Sequence, residues 1–254
     1  LTSEYDAVQS ILDRLHVQHE GGSGILAIPD KIKTEVDNLP NLVDQTKKET
    51  EPRRLAALFR AYAFLGSAYT LETSYQEQLK SGDYGPARRH LPAQVAQPFV
   101  CVAEKLDAFP WMDYHYSYSL GNYVKKDPAG DLHWKNLDMA IKFAGTTDEI
   151  GFIMLHVYIN ELGPDLLRSI YLCNDAMTEN SAEKMAAGLE LNFNTIKAMN
   201  GRRQEMWAAS NPKNYNDFRV FIMGIKGNED LFGDGLVYEG CYDNKPQNFR
   251  GQTG

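Results

Sequence analysis

The sequence predicts a mainly α-helical protein. Apolar residues recur at helical spacing over several long segments, caps and prolines mark where those segments begin, and strand signals are sparse and short. The chain has 254 residues, 43% of them hydrophobic and 11% aromatic, which is a globular composition. Its net charge of −8 argues against nucleic acid or an anionic membrane surface as the main partner. No apolar run is long enough to span a bilayer. Cys101, Cys173 and Cys241 are odd in number and widely spaced, so they form neither a disulfide framework nor a zinc pattern and suit a reducing cytoplasm. The start carries no secretory signal and no initiator Met, and the end is a glycine-rich loop without a closing element. Both ends read as trimming or truncation.

The first helix is expected from Ser3 to about His19, on Val8, Ile11, Leu12 and Leu15, before the Gly21–Gly24 loop. A second runs from Pro52 to about Tyr69, with Leu55, Leu58, Phe59 and Tyr62 on one face. A third spans Pro92 to Leu106. Thr146-Thr147-Asp148-Glu149 has the form of a capping box, opening a helix through Asn160 that Gly163-Pro164 interrupts. A long helix is expected from Ser181 to Trp207. Asn211-Pro212 then opens another from Lys213 to about Met223, and the chain beyond Lys226 reads as loop.

Two pairs could carry chemistry. Phe152 and His156 share one helix face, as do Tyr215 and Arg219. If the two helices pack together, a guanidinium fitted to clamp a carboxylate and an imidazole able to bind a polar N–H converge on one cavity. Taken alone, His156 in Phe-Ile-Met-Leu-His-Val-Tyr-Ile reads more simply as a satisfied core residue. Arg219, flanked by apolar residues, requires a partner that Asp217 on another face does not supply. His16 and His19 lack the companions of a metal site and read as surface residues. Trp111, Tyr114, His115, Tyr116 and Tyr118 line a flat pocket or form ordinary core. P-loop, dinucleotide and serine-elbow motifs are absent.

Specific strings decide between these readings. Lys226-Gly227-Asn228 followed by Asp234-Gly235-Leu236-Val237-Tyr238-Glu239-Gly240 resembles the signature of the indoleamine 2,3-dioxygenase family. Gly121-Asn122-Tyr123 with Lys125-Lys126-Asp127-Pro128, Arg89-His90-Leu91-Pro92, and the spacing from Asn136 to Phe152 are similar to that family as well. The resemblance implies a small, mostly helical N-terminal domain (residues 1–143) and the first part of a larger all-helical haem domain (residues 144–254). It implies haem b as cofactor and O2 as co-substrate. Phe152 then lines the substrate side of the haem, Arg219 binds the substrate carboxylate, and Tyr215 sits one turn before it. His115 to Tyr118 line the inner end of the pocket. Gly251, Gln252, Thr253 and Gly254 fall on the loop that closes over substrate and haem, with Thr253 and Gly254 contacting both and Gly251 the cofactor.

The sequence departs from the family in two places. His156 stands where the animal indoleamine enzymes have Ser, and the related tryptophan 2,3-dioxygenases have His in the same Phe-x-x-x-His arrangement. The resemblance therefore implies a catalytic His156 and a preference for L-tryptophan, opened to N-formylkynurenine. The family's proximal iron ligand lies beyond the closing loop, and none of His16, His19, His90, His115, His133 or His156 matches it. No metal ligand is expected in this chain; the C-terminal remainder of the same protein would supply it, and homo-oligomers stay open. The alternatives are a haem oxygenase acting on a substituted tryptophan and a non-catalytic haem or gas sensor of the same fold.

Overall fold

The computed structural model describes residues 1–19 and 22–250. It is mainly helical, as the periodicity predicts. Helix α1 (Asp6–Asp13) is shorter than expected, and residues after it turn away to form a two-residue strand, β1 (Gln18–His19), paired antiparallel with β2 (Gly22–Ser23). The backbone N–H groups of Val17 and Gln18 are instead satisfied by Phe143 and Ala144 carbonyls, which stitch the N-terminus to the approach of the candidate site. His16 is correspondingly half-buried rather than a free surface residue: a Cβ on Gly145, at φ +74°, would press on its ring.

Two short helices, α2 (Lys31–Asp37) and α3 (Val43–Lys48), precede the central helix α4 (Pro52–Ser81). Glu51 caps α4 by accepting from Arg53 and Arg54 N–H, Pro52 occupies its first turn, and Gly82 ends it at φ +88°. This helix runs twelve residues past the end its apolar face suggests. Its last turns are buried through polar groups: Glu72 accepts from Arg88 (2.6 Å) and from the Asp30 N–H (3.1 Å), and Gln76 donates to the Leu26 carbonyl. Leu71 and Tyr75 continue the apolar face there, but the buried polar residues among them break its pattern.

Strand β3 (His90–Leu91) and helix α5 (Ala93–Lys105) follow, then a π-helical turn over Tyr114–Ser119 and the hairpin of β4 (Tyr123–Lys125) with β5 (Leu137–Met139). Helix α6 (Thr147–Asn160) begins where the capping motif places it. Helices α7 (Gly163–Glu179) and α8 (Ala182–Arg203) form an antiparallel hairpin joined at Asn180, which adopts the left-handed conformation. The long helix expected to Trp207 breaks after Arg203 and restarts as α9 (Met206–Ala209). Likewise the segment from Lys213 to Met223 is three pieces, with 3₁₀ turns over Pro212–Asn214 and Val220–Ile222 flanking α10 (Asn216–Arg219). The chain beyond Lys226 holds α11 (Glu229–Phe232), β6 (Leu236–Tyr238) and β7 (Pro246–Gln247), so it is not loop alone.

The Asp234–Gly240 string is thereby explained. Its strand β6 lies between β3, parallel, and β7, antiparallel. Tyr238 is fully buried and donates its hydroxyl to the Pro110 carbonyl at 2.6 Å. The string that best marks the family is a structural strand. Asn122 acts similarly, exchanging hydrogen bonds with the Ile141 backbone (2.8 and 3.0 Å). One hydrophobic core runs from Tyr5 to Tyr238, and Phe143 stacks on both Phe64 (4.6 Å) and Phe221 (4.8 Å) within it.

Candidate active site

The site is set by how α6 begins. Thr146 caps it, accepting from Glu149 N–H at 3.2 Å. Glu149 does not reach back to the cap residue as a capping box would. It is fully buried and accepts from the Phe143, Ala144 and Gly145 N–H groups and from the Tyr118 hydroxyl, all at 2.7–2.9 Å. Burial pushes its carboxyl up from the usual range, against the opposing pull of those four donors. One residue earlier, Asp148 accepts from Asn211 N–H and from the Asn214 side chain, both at 2.6 Å. That carboxylate fastens the Pro212–Asn214 turn, and hence Tyr215, to the first turn of α6. Gly151 permits the remaining approach, since a Cβ there would run into the Ala209 carbonyl oxygen.

With the two segments fastened, Phe152 and Tyr215 meet, while neither His156 nor Arg219 is among the side chains that line the cleft between them. The Phe152 ring lies 5.2 Å from Tyr215, 5.7 Å from Phe218 and 4.9 Å from His156. Together with Met206, Trp207, Ser210 and Pro212, Phe152 and Tyr215 line an open cleft of about 380 Å³, within the roughly 300–1,000 Å³ of small-molecule sites. His156 places Nδ1 2.7 Å from the Phe152 carbonyl oxygen. A carbonyl only accepts, so Nδ1 carries the proton and the neutral ring leaves Nε2 as an acceptor. Burial holds the imidazole below its ordinary pKa; the Phe152 carbonyl opposes that shift and nearby His115 adds to it.

Arg219, half-buried at the end of α10, makes no ion pair or side-chain hydrogen bond among the described residues. Its charge is felt at Tyr84, where it opposes the upward push of burial on the phenol; Tyr215 acts on the same phenol. The π turn carries the rest. Tyr114 and His156 meet edge to face at 5.6 Å, and both the Tyr114 hydroxyl and His115 Nδ1 are buried without a hydrogen-bond partner among the described residues. Tyr118 does not face the cleft: it is buried against Phe64 and Phe143, with its hydroxyl committed to Glu149. Its place is in the frame. Trp111 is likewise core, donating to the Met223 carbonyl, while Tyr116 is exposed and packs on Phe59. Gly251, Gln252, Thr253 and Gly254 lie outside the described residues.

Sequence reasoning missed Asp148 as a fastener, Tyr114 as a neighbour of His156, and the cleft wall of Met206, Trp207, Ser210 and Pro212. Asn211-Pro212 as a cap was the one available signal for that wall. A flat aromatic cofactor fits this wall on one side, since most of its lining is apolar or aromatic. No group of three His, Cys, Asp or Glu able to hold a metal occurs among the described residues. His156 is engaged through Nδ1, and His133 lies 3.2 Å from Glu205.

A model of the indoleamine 2,3-dioxygenase family matches residues 1–254. Indoleamine 2,3-dioxygenase 1 of Rattus norvegicus is 25% identical over 224 residues, covering 87% of this chain and 51% of the relative. Indoleamine 2,3-dioxygenase 2 of Homo sapiens is 27% identical over 211 residues, 83% and 49% of the two chains. Indoleamine 2,3-dioxygenase acdA of Aspergillus candidus is 27% identical over 186 residues, 70% and 44%. The chain thus spans about half the length of these relatives. Matched over its whole length by that family model, it belongs to the indoleamine 2,3-dioxygenase family.

Proposed function

We propose that this chain is the substrate-facing half of a haem dioxygenase acting on L-tryptophan. Both atoms of O2 enter across the indole C2–C3 bond, giving N-formylkynurenine. Residues 144–254 would open the haem domain, sharing one hydrophobic core with the smaller part formed by residues 1–143. The observation that carries the reading is the tautomer of His156. With Nδ1–H donated to the Phe152 carbonyl, Nε2 keeps a lone pair one ring away from the cleft that Phe152 lines, and burial disfavours its protonation. An indole N–H is the donor that fits it.

Arg219 supplies the second anchor. A half-buried guanidinium with no carboxylate partner among the described residues is suited to a bidentate grip on the amino-acid carboxylate. Phe152 and Tyr215, which line the cleft together, would pack on the indole and exclude water. Bound haem b supplies O2 binding and activation; Phe152, His156 and the Gly251–Gly254 loop are the residues of this chain proposed to face it, with Thr253 and Gly254 also closing over the substrate. The residue that would hold its iron is assigned to the part of the family's fold that this chain does not span, the proposed C-terminal partner. His115 is placed at the inner end of the substrate pocket.

The test uses the haem-loaded protein. Arg219→Leu is expected to weaken tryptophan binding by roughly 2–5 kcal/mol, read from a spectral titration. The product should carry two added oxygen atoms. Parent-level kcat/KM in that variant, or a product with one added oxygen, contradicts the proposal.

A further inference from the structure

Helix α8 breaks after Arg203, and the chain restarts as α9 with Met206 and Trp207 of the cleft wall. Both sides of that break are tied to other elements. On the α8 side, Arg202 pairs with Glu161 at 2.7 Å and lies over the Tyr158 ring of α6 at 4.0 Å. On the α9 side stands Glu205. Its Oε2 accepts the Trp134 indole N–H at 2.7 Å and lies 3.2 Å from His133 Nε2. The Lys135 N–H donates to His133 Nδ1, so the neutral ring carries its proton on Nε2 and donates it to the same oxygen. Trp134 lies 71 positions before Glu205, on the connection between β4 and β5. That connection is tied internally by Asn136, which bonds the Asp127 and Asp131 carbonyls at 3.1 and 2.8 Å and accepts from the Asp127 N–H. The His133 ring packs in turn on Tyr158 at 4.7 Å.

We infer that Trp134 and His133 are positioning residues for the candidate cleft, acting through Glu205 on the wall that follows it. Trp207 is 74% exposed, so packing alone does not set where its side chain stands. Its placement depends on the backbone of α9, which at four residues is too short to hold its own shape. The far end of α9 is fixed by the close approach of Ala209 to Gly151. The near end is tied by Glu205, whose carboxylate takes two donors from one well-ordered connection. An exposed ion pair alone contributes little. An indole N–H on a carboxylate is different, because the bond is charge-assisted and directional. With both ends of a short wall pinned, a cleft open to solvent keeps one shape. The inference rests on that cleft being the substrate site, as proposed above, and not on the reaction performed there.

The experiment is fluorine NMR of the full native protein labelled with 5-fluorotryptophan. Trp111, Trp134 and Trp207 each give a resonance, and Trp111, buried in the core, reports intact folding. Trp134→Phe keeps an aromatic ring and removes the N–H. It is expected to move the Trp207 resonance, leave Trp111 in place, and weaken L-tryptophan binding about fivefold. In a Glu205→Leu background the same substitution should change binding by less than about twofold, because the partner is already gone. Glu205→Gln keeps an acceptor oxygen for the indole and should stay within about twofold of the parent. The inference is overturned by an unmoved Trp207 resonance, by a Trp111 shift as large as that of Trp207, or by equal weakening in both backgrounds. Glu205→Gln binding no better than Glu205→Leu overturns it as well. If L-tryptophan moves no resonance of the parent, the proposed substrate fails, and the response of Trp207 to Trp134→Phe still decides the positioning role.

Discussion

Around the start of α6 the framing polar groups have partners at 2.6–3.2 Å, whereas along α7 and α8 seven large apolar side chains have no cover. The first region is held by directional bonds that fix geometry to within a fraction of an ångström. The second is held by a seam of small residues and by Arg202, which pairs with Glu161 and lies over the Tyr158 ring of α6. The difference teaches where precision is needed: Glu149, Asp148 and Gly151 position Phe152 and Tyr215 against each other, while the hairpin presents area. Mutations should separate the two regions cleanly.

The largest effect is expected at Glu149. Glu149→Ala strands two buried N–H groups, the part-buried Gly145 N–H and the Tyr118 hydroxyl, at about 1–3 kcal/mol for each unsatisfied buried group, and should cost roughly 4 kcal/mol or more in urea unfolding. Gly151→Ala comes next. Its methyl has no room beside the Ala209 carbonyl, so α6 and α9 must part, at a cost of about 1–3 kcal/mol and with a loosened Phe152–Tyr215 contact visible in ligand binding. The smallest belongs to the hairpin: Leu167→Gln, on a surface 58% exposed, should change the stability of this chain by no more than about 0.5 kcal/mol. A hairpin substitution as costly as Glu149→Ala would erase the contrast.

The same contrast explains what was legible in the sequence. The cap at Thr146, the helix through Asn160 and the pairing of Phe152 with His156 follow local rules, and they were readable. So was the mainly helical class. The far end of α4 was not, because Glu72 and Gln76 are buried by hydrogen bonds instead of apolar contact. Nor were β3 and β6, each two or three residues long and defined only by their mutual register. The segment from Pro212 to Ile222 carries the expected start signal, but Asp148, more than sixty positions earlier, fixes the turn that breaks it. Tyr118 shows the limit from the other side: an aromatic cluster in sequence divides in space into a core ring and Tyr114, which packs on His156.

The central claim is that His156 is neutral, protonated on Nδ1, and free to accept through Nε2. Its folded pKa lies below the ordinary 6.5 because burial disfavours the cation. The unfolded chain therefore takes up the proton first, so this group's contribution to stability is intact above pH 6.5 and declines as acidification passes from there toward the folded pKa. Nitrogen NMR of the imidazole rings through a pH titration reads both tautomer and pKa in one experiment. The expected result is an Nδ1–H ring that titrates below 6.5 and whose Nε2 resonance shifts when L-tryptophan binds. An Nε2–H tautomer, or a ring that titrates at or above 6.5, would contradict it.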